Sequence, residues 1–364
     1  MAQLKTMAIA EDNPISMLPN LVACLEALRA LPDFAALDAN ALEPAGFTGM
    51  AHDHIRIKGQ GLILRVPRVS QWGLAAVVNL AYQSACFRRA YASGHTPALH
   101  SVLPPSTDLP MGALLVEEIE GRKPRLPGDL AAIGAAIGAM HGLTLPRIED
   151  RRPLLSPINS LAATLKTITL QAAFLESAGL NVDTLRALRD ELDWARKFVD
   201  RYAQPTEPTS LILTDSHPGN FVIHLSGKAF FVDLEKALYG LPAIDLAHAT
   251  LYTSTRFDPD IDAVLTEGET ASFYRDYLAK VEARRAAQLR PWLAPLRRLV
   301  WLRTMTWCAK WTVESRGSGG WSRQRLDART RSHMEACLKD FFDPATVARQ
   351  RSEWSGGRAV EFGA

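Results

Sequence analysis

The chain has 364 residues, long enough for two compact units, and its 47% hydrophobic and 22% charged residues are ordinary globular composition. A formal net charge of +2 is too small to imply a nucleic-acid or membrane-surface partner, which needs a concentrated basic field, and so weighs against polyanion binding. Cys24, Cys86, Cys308 and Cys337 form no close pair, and no apolar run approaches the roughly 18 residues of a membrane span, so a reducing cytoplasmic setting without disulfides, zinc or export is expected.

In chain order, Leu18–Leu37 has apolar residues at helical spacing and reads as a helical extension within residues 1–40. Gly46 and Gly49 then mark a loop. Strands His54–Lys58 and Leu62–Val66 follow, joined by Gly59-Gln60-Gly61 as a hairpin. Leu74–Ala92 returns to helical spacing. Ala113–Ile119 is a short apolar strand ending in Glu117 and Glu118, and Gly121-Arg122-Lys123-Pro124 reads as a linker. This predicts a β-containing lobe over 1–120 and a mainly α lobe over 121–364. The second lobe has helices over Leu130–His141, Ile158–Ser177, Thr184–Tyr202, Val264–Val281 and Pro295–Ser315. One strand-rich island interrupts them at 210–234, and the Gly, Ser and Arg-rich stretches 316–325 and 352–364 read as flexible.

The island runs Leu211-Ile-Leu-Thr-Asp215-Ser-His-Pro-Gly-Asn220, then Phe221–Leu225, Ser226-Gly227 and Lys228–Asp233. A two-residue turn at Ser226-Gly227 would pair Leu225 with Lys228, and counting outward would set Asn220 opposite Asp233. Directly opposed residues hold their Cβ atoms about 5 Å apart on one face, so an amide oxygen and a carboxylate would converge as ligands for one hard cation. Asp215, five residues before Asn220 and across a Pro-Gly turn, would return a second carboxylate to the same end, free to meet a substrate hydroxyl. Those are the parts of kinase phosphoryl transfer. Taken singly, Asp215 also reads as a turn former, Asn220 as a strand-end cap and Asp233 as a solvated carboxylate.

The Asp-x-x-His-Pro-Gly-Asn core, with Pro242-Ala-Ile-Asp245-Leu-Ala after it, resembles the catalytic segment of the aminoglycoside phosphotransferase and choline kinase superfamily. The resemblance covers roughly residues 42 to 252. It implies an α+β, two-lobed, protein-kinase-like fold and an ATP-dependent kinase for a small hydroxyl compound: an aminoglycoside, an amino alcohol or a sugar derivative. By resemblance Asp215 positions the acceptor hydroxyl, Asn220 and Asp233 hold Mg²⁺, and Asp245 is structural. Two positions depart from the family pattern: Leu213-Thr214 replaces His-Gly, and Leu241-Pro242 replaces Asp-Pro.

On the nucleotide side, the resemblance places the Gly46–Asp53 loop over the ATP phosphates, a cation on the Leu62–Val66 strand and an adenine-contacting hinge at Ala113–Ile119, including Glu117. Arg65 stands where the family carries its strand cation, and Gln83 where it carries that cation's glutamate partner. Arginine also clamps phosphate, and Gln83 is expected to hold it. No Asp or Glu lies between Asp53 and Asp108, so the small lobe is locally cationic, although single arginines there also read as solvent-facing. The missing Lys–Glu pair keeps a nucleotide-binding pseudokinase or regulatory module as the alternative. Leu213-Thr214-Asp215 and Asp233-Leu234-Glu235 do not match a protein kinase proper. For the acceptor, Trp307, Trp311 and Glu314 at helical spacing offer an aromatic and acidic wall for a cation, or simply core; Asp258, Asp260, Asp262, Glu267 and Glu269 offer an amine-attracting patch, or a solvated loop.

Overall fold

A computed structural model describes residues 20–45, 51–203, 207–317, 322–323 and 326–354. Gly46 and Gly49 lie outside the described residues, as does most of the two stretches read as flexible.

The first lobe opens with helix α1 (Leu21–Arg29), whose Ala23 N–H is capped by the Asn20 side chain at 3.1 Å. Strands β1 (Leu42–Pro44), β2 (His52–Ile57) and β3 (Leu62–Pro67), helix α2 (Ala76–Ala90), then β4 (Leu99–Leu103) and β5 (Ala113–Glu117) complete it. The five strands form one antiparallel sheet in the order β1-β2-β3-β5-β4. Side chains alternate across a strand, so Ile55, Ile57, Leu64 and Leu115 fall on one face, where they pack against Cys24, Leu25 and Leu28 of α1. Ile63, Leu114 and Val116 take the other face with Leu80, Tyr82 and Phe87 of α2, in a core continuous with the second lobe. Arg65, two residues from Ile63, is thereby forced inward beneath α2 and is only 5% exposed.

The second lobe begins at β6 (Gly121–Arg122), which already pairs with the strand Phe221–His224. Helices α3 (Leu130–His141), α4 (Ser160–Ala172) and α5 (Val182–Tyr202) follow, then β7 (Ser210–Ile212), β8 (Phe221–His224), β9 (Ala229–Phe231) and β10 (Leu238–Gly240). Helices α6 (Ala243–Thr250), α7 (Tyr252–Thr255), α8 (Glu267–Lys280), α9 (Ala283–Glu314), α10 (Ala328–Phe341) and α11 (Pro344–Ser352) finish the lobe. Among the described residues, no helix is long and apolar enough to cross a membrane. All four cysteines are buried and free.

Helix α9 starts twelve residues before the expected Pro295, with Pro291 and Pro295 inside it. Each proline removes one intrahelical bond, yet Leu289, Leu293, Leu296, Val300 and Trp301 are completely buried along the same helix and hold it through both breaks. β4, α10 and α11 were not expected, since their patterns are short or weakly amphipathic.

The β8–β9 hairpin also departs from the expected register. Phe221 pairs with Phe231 and Ile223 with Ala229, one position away from a two-residue turn. The loop is Leu225-Ser226-Gly227: Gly227 N–H returns to His224 O at 2.8 Å, and His224 N–H bonds Lys228 O at 2.9 Å. Gly227 takes φ +82°, the left-handed closing residue of a three-residue hairpin loop. Asn220 therefore backs onto Val232, whose N–H donates to Asn220 O at 3.0 Å, and not onto Asp233.

Candidate active site

The loop after β7 is held from several sides. The buried Asp245 carboxylate of α6 accepts the Leu213 and Thr214 N–H groups, both at 2.7 Å, and meets His141 Nε2 at 3.0 Å. His141 Nδ1 in turn meets Tyr277 Oη at 2.8 Å. Thr214 sits at φ +60°, a conformation a β-branched residue adopts only under constraint. The constraint is visible: its Oγ1 donates to Lys236 O at 3.0 Å, and its carbonyl accepts from Arg303 Nη2 at 2.6 Å. The support missing from Leu213-Thr214 is thus supplied by Asp245, Lys236 and Arg303.

This frame presents Asp215. Its Oδ2 accepts from Lys236 Nζ at 2.6 Å, while Oδ1 lies 3.7 Å from His248 Nδ1, a buried nitrogen with no hydrogen-bond partner among the described residues. Burial pushes the Asp215 carboxyl up, but Lys236, His217 and His248 outweigh it and hold the group far below the usual carboxylate range. The Asn220 amide donates to Asp215 O at 2.8 Å, closing the Pro218–Asn220 turn and turning its Oδ1 away from that bond. Gly219 is required here: a Cβ would stand 2.5 Å from Asp258 Oδ2. Asp258 approaches because Lys123 Nζ bridges Gly219 O at 2.6 Å and Asp258 at 2.9 Å.

Asp233 begins the short turn Leu234–Lys236 and meets the small lobe. Arg65 donates to its Oδ1 at 2.6 Å and to Val232 O at 2.9 Å, with the guanidinium 5.7 Å from the Phe87 ring centre. Burial raises the Asp233 carboxyl, but Arg65 and His52 bring it below the ordinary range. The expected Arg65–Gln83 contact is absent. Gln83 instead accepts from His52 Nε2 at 3.1 Å and donates to Glu235 at 3.4 Å. Burial, with Asp233 next to it, pushes the Glu235 carboxyl well up; burial and Arg65 bring His52 down to about 3, so it is neutral. Glu117 accepts Ala98 N–H on its side chain at 3.0 Å and donates its own N–H to Ala98 O at 2.9 Å, tying the end of β5 to the residue before β4.

The donor set suits a hard cation. Asp233, Glu235 and His52 each offer a ligand atom within 4.8 Å of one another, and Asn220 stands beside Val232 at the same end of the hairpin. Arg65 Nε is a buried donor without a partner among the described residues, directly beside Asp233. Carboxylate and amide oxygens next to a second carboxylate, Asp215, which keeps one oxygen clear of hydrogen bonds among the described residues, can hold a cation and an alcohol side by side. Sequence reasoning missed His52, Glu235, Lys236, His248 and Arg303. Only Glu235-Lys236, charges immediately after Asp233, carried a signal.

The phosphotransferase enzyme family profile matches residues 53–296, most of the chain. The chain belongs to this family. Its fold is that of solved kinases: Plasmodium vivax ethanolamine kinase aligns at 15% identity and TM-score 0.61, over 90% of this chain and 89% of the other. Choline kinase from Cryptosporidium parvum aligns at 12% identity and TM-score 0.54, covering 92% and 95%. The ADP-bound aminoglycoside phosphotransferase APH(2'')-Ib aligns at 12% and 0.52, covering 88% and 97%. No curated protein matches this phosphotransferase.

Proposed function

We propose that this phosphotransferase moves the γ-phosphoryl group of ATP to a hydroxyl of a small molecule, using Mg²⁺ held by Asn220 and Asp233. The bond from the acceptor oxygen to phosphorus forms, the β–γ bridging bond breaks, and the products are ADP, a phosphate ester and a proton. The observation that carries this reading is Asp215. Lys236 takes one carboxylate oxygen and fixes its rotamer, and the other is left facing His248 to accept an alcohol O–H. A carboxylate held so far below its usual range is a weak base, so Asp215 acts mainly by aligning the hydroxyl, which is all that a loose phosphoryl transition state demands. Mg²⁺ supplies charge neutralisation on the phosphate oxygens when bound. Arg65 is placed to steady Asp233 in that task, and the ADP-bound state of a fold relative supports nucleotide binding. A cytoplasmic setting, where ATP is supplied, accords with this reading.

One observation favours a second reading, a nucleotide-binding regulatory module: Arg65 already neutralises Asp233. The Asp215→Ala variant separates the two. The kinase reading expects kcat to fall by a factor on the order of 10²–10⁴ with Mg-ATP affinity nearly unchanged. ATP consumption at the parent rate in Asp215→Ala, across a panel of sugars, amino alcohols and aminoglycosides, would rule it out.

A further inference from the structure

The acceptor side of Asp215 carries a charge pattern that identifies its ligand. Among the described residues, four of the carboxylates that could attract an amine there are already matched by cations: Asp258 by Lys123 at 2.9 Å, Asp260 by Arg329 at 2.6 Å, Asp262 by Arg256 at 2.7 Å and Glu314 by Lys310 at 3.7 Å; Glu269 is spent on capping α8 through Thr266. Arg303 is the opposite case. It lies half-buried on α9, its Nη2 occupied by Thr214 O, the carbonyl next to Asp215, and it forms no ion pair among the described residues. One helical turn on, the half-buried Trp307 meets Phe257 with ring centres 5.7 Å apart, and Phe257 meets His217 at 5.3 Å, so a wall of ring edges and faces runs from Arg303 to the catalytic turn. Trp301 and Trp311 are core and take no part in it. His248, 7% exposed, points its unpartnered Nδ1 at Asp215 Oδ1, a second polar group waiting for an occupant.

We infer that the acceptor is an anionic hydroxyl compound, carrying a carboxylate or a phosphate that Arg303 reads while Asp215 and His248 share its reacting hydroxyl, and that it is not a polyamine. The inference rests on the phosphotransferase reading and sharpens it. Arginine suits this task because its planar fork leaves donors for an anion after one has been given to the Thr214 carbonyl. Burial lowers the pKa of Arg303, with Asp215 and Asp245 opposing that effect from a distance, as expected of a cation without a close anion. A polyamine in the same place would face Arg303 and Lys236, with Asp215 already paired to Lys236, and like charges at such range repel.

The decisive measurement is calorimetry on the full chain loaded with Mg²⁺ and a non-hydrolysable ATP analogue, so that the γ-phosphate position is filled. Inorganic phosphate and spermidine are then titrated separately. Phosphate is expected to bind, and Arg303→Met to weaken that binding roughly 10- to 100-fold, the loss of one charge-assisted hydrogen bond. Spermidine binding in place of phosphate, no phosphate binding, or phosphate binding unmoved by Arg303→Met would each overturn the inference while leaving the kinase reading intact. Failure to bind the Mg-nucleotide at all would overturn both. A second measurement needs no variant: kcat/KM for gluconate, glucose 6-phosphate, glucose and glucosamine. The carboxylate or the phosphate form should lead glucosamine by about tenfold or more, and which one leads tells the two anions apart. An amine-bearing substrate turned over best would overturn the assignment.

Discussion

Gln83 shows how one amide can be more fitting than the charge it replaces. Its oxygen accepts from neutral His52 and its nitrogen donates to Glu235, so both ends of the dipole are used in a buried place. The family pattern carries a glutamate here as the partner of the β3 cation. Arg65 is not in reach of that role: its donors go to Asp233 and Val232. Gln83→Glu would instead set a carboxylate against Glu235 and remove the donor that Glu235 accepts. The expected result is a loss of about 1–3 kcal/mol in urea unfolding with no gain in Mg-ATP affinity. A variant as stable as the parent, binding ATP more tightly, would show that Arg65 can swing from Asp233 to residue 83.

At the scale of elements, the hairpin carrying Asn220 and Asp233 depends on its loop. Gly227 has open space where a Cβ would go, so Gly227→Ala changes only backbone strain, expected at about 1 kcal/mol, and lowers the melting temperature by roughly 2 °C with kcat unchanged. A shift many times larger would mean that the register itself moves. The same loop marks the limit of what could be read in advance. Leu130–His141 was legible to the residue because its apolar spacing is long and uninterrupted. The hairpin was legible as a hairpin, but a terminal glycine serves two-residue and three-residue loops alike, and that ambiguity shifted the pairing by one. Asp215, Asn220 and Asp233 could be singled out as candidates because they share one short segment. His52, His248 and Arg303 come from three distant elements, and their meeting depends on tertiary packing that no local pattern encodes.

At the scale of the whole molecule, the small lobe grips one segment of the large lobe. Arg65 of β3 holds Val232 and Asp233, Gln71 bonds Glu235, and Tyr82 of α2 donates to Ala237 O at 2.7 Å. The strand cation, the helix and the proposed metal carboxylate are therefore mechanically joined, and a change at Asp233 should register in both stability and nucleotide binding. Asp233→Ala would leave a buried guanidinium without its anion, a loss on the order of 3 kcal/mol that confuses the two effects. Asp233→Asn separates them. The amide oxygen can still accept from Arg65, so the lobes stay tied and unfolding should shift by about 1–2 kcal/mol. The charge that a divalent cation needs is gone, so Mg²⁺-dependent ATP binding should fall about 100-fold or more, and adding a chelator should change it little further. In the parent protein the chelator should produce most of that loss by itself. If Asp233→Asn binds Mg-ATP like the parent, the cation does not depend on the Asp233 charge and is held by Glu235 and His52 with Asn220, since Glu235 and His52 also offer ligand atoms at that point among the described residues. Arg65→Lys then becomes informative in the same assay: a lysine can match one carboxylate oxygen but cannot also reach the Val232 carbonyl with a planar fork, so it should loosen the lobes even where nucleotide affinity survives.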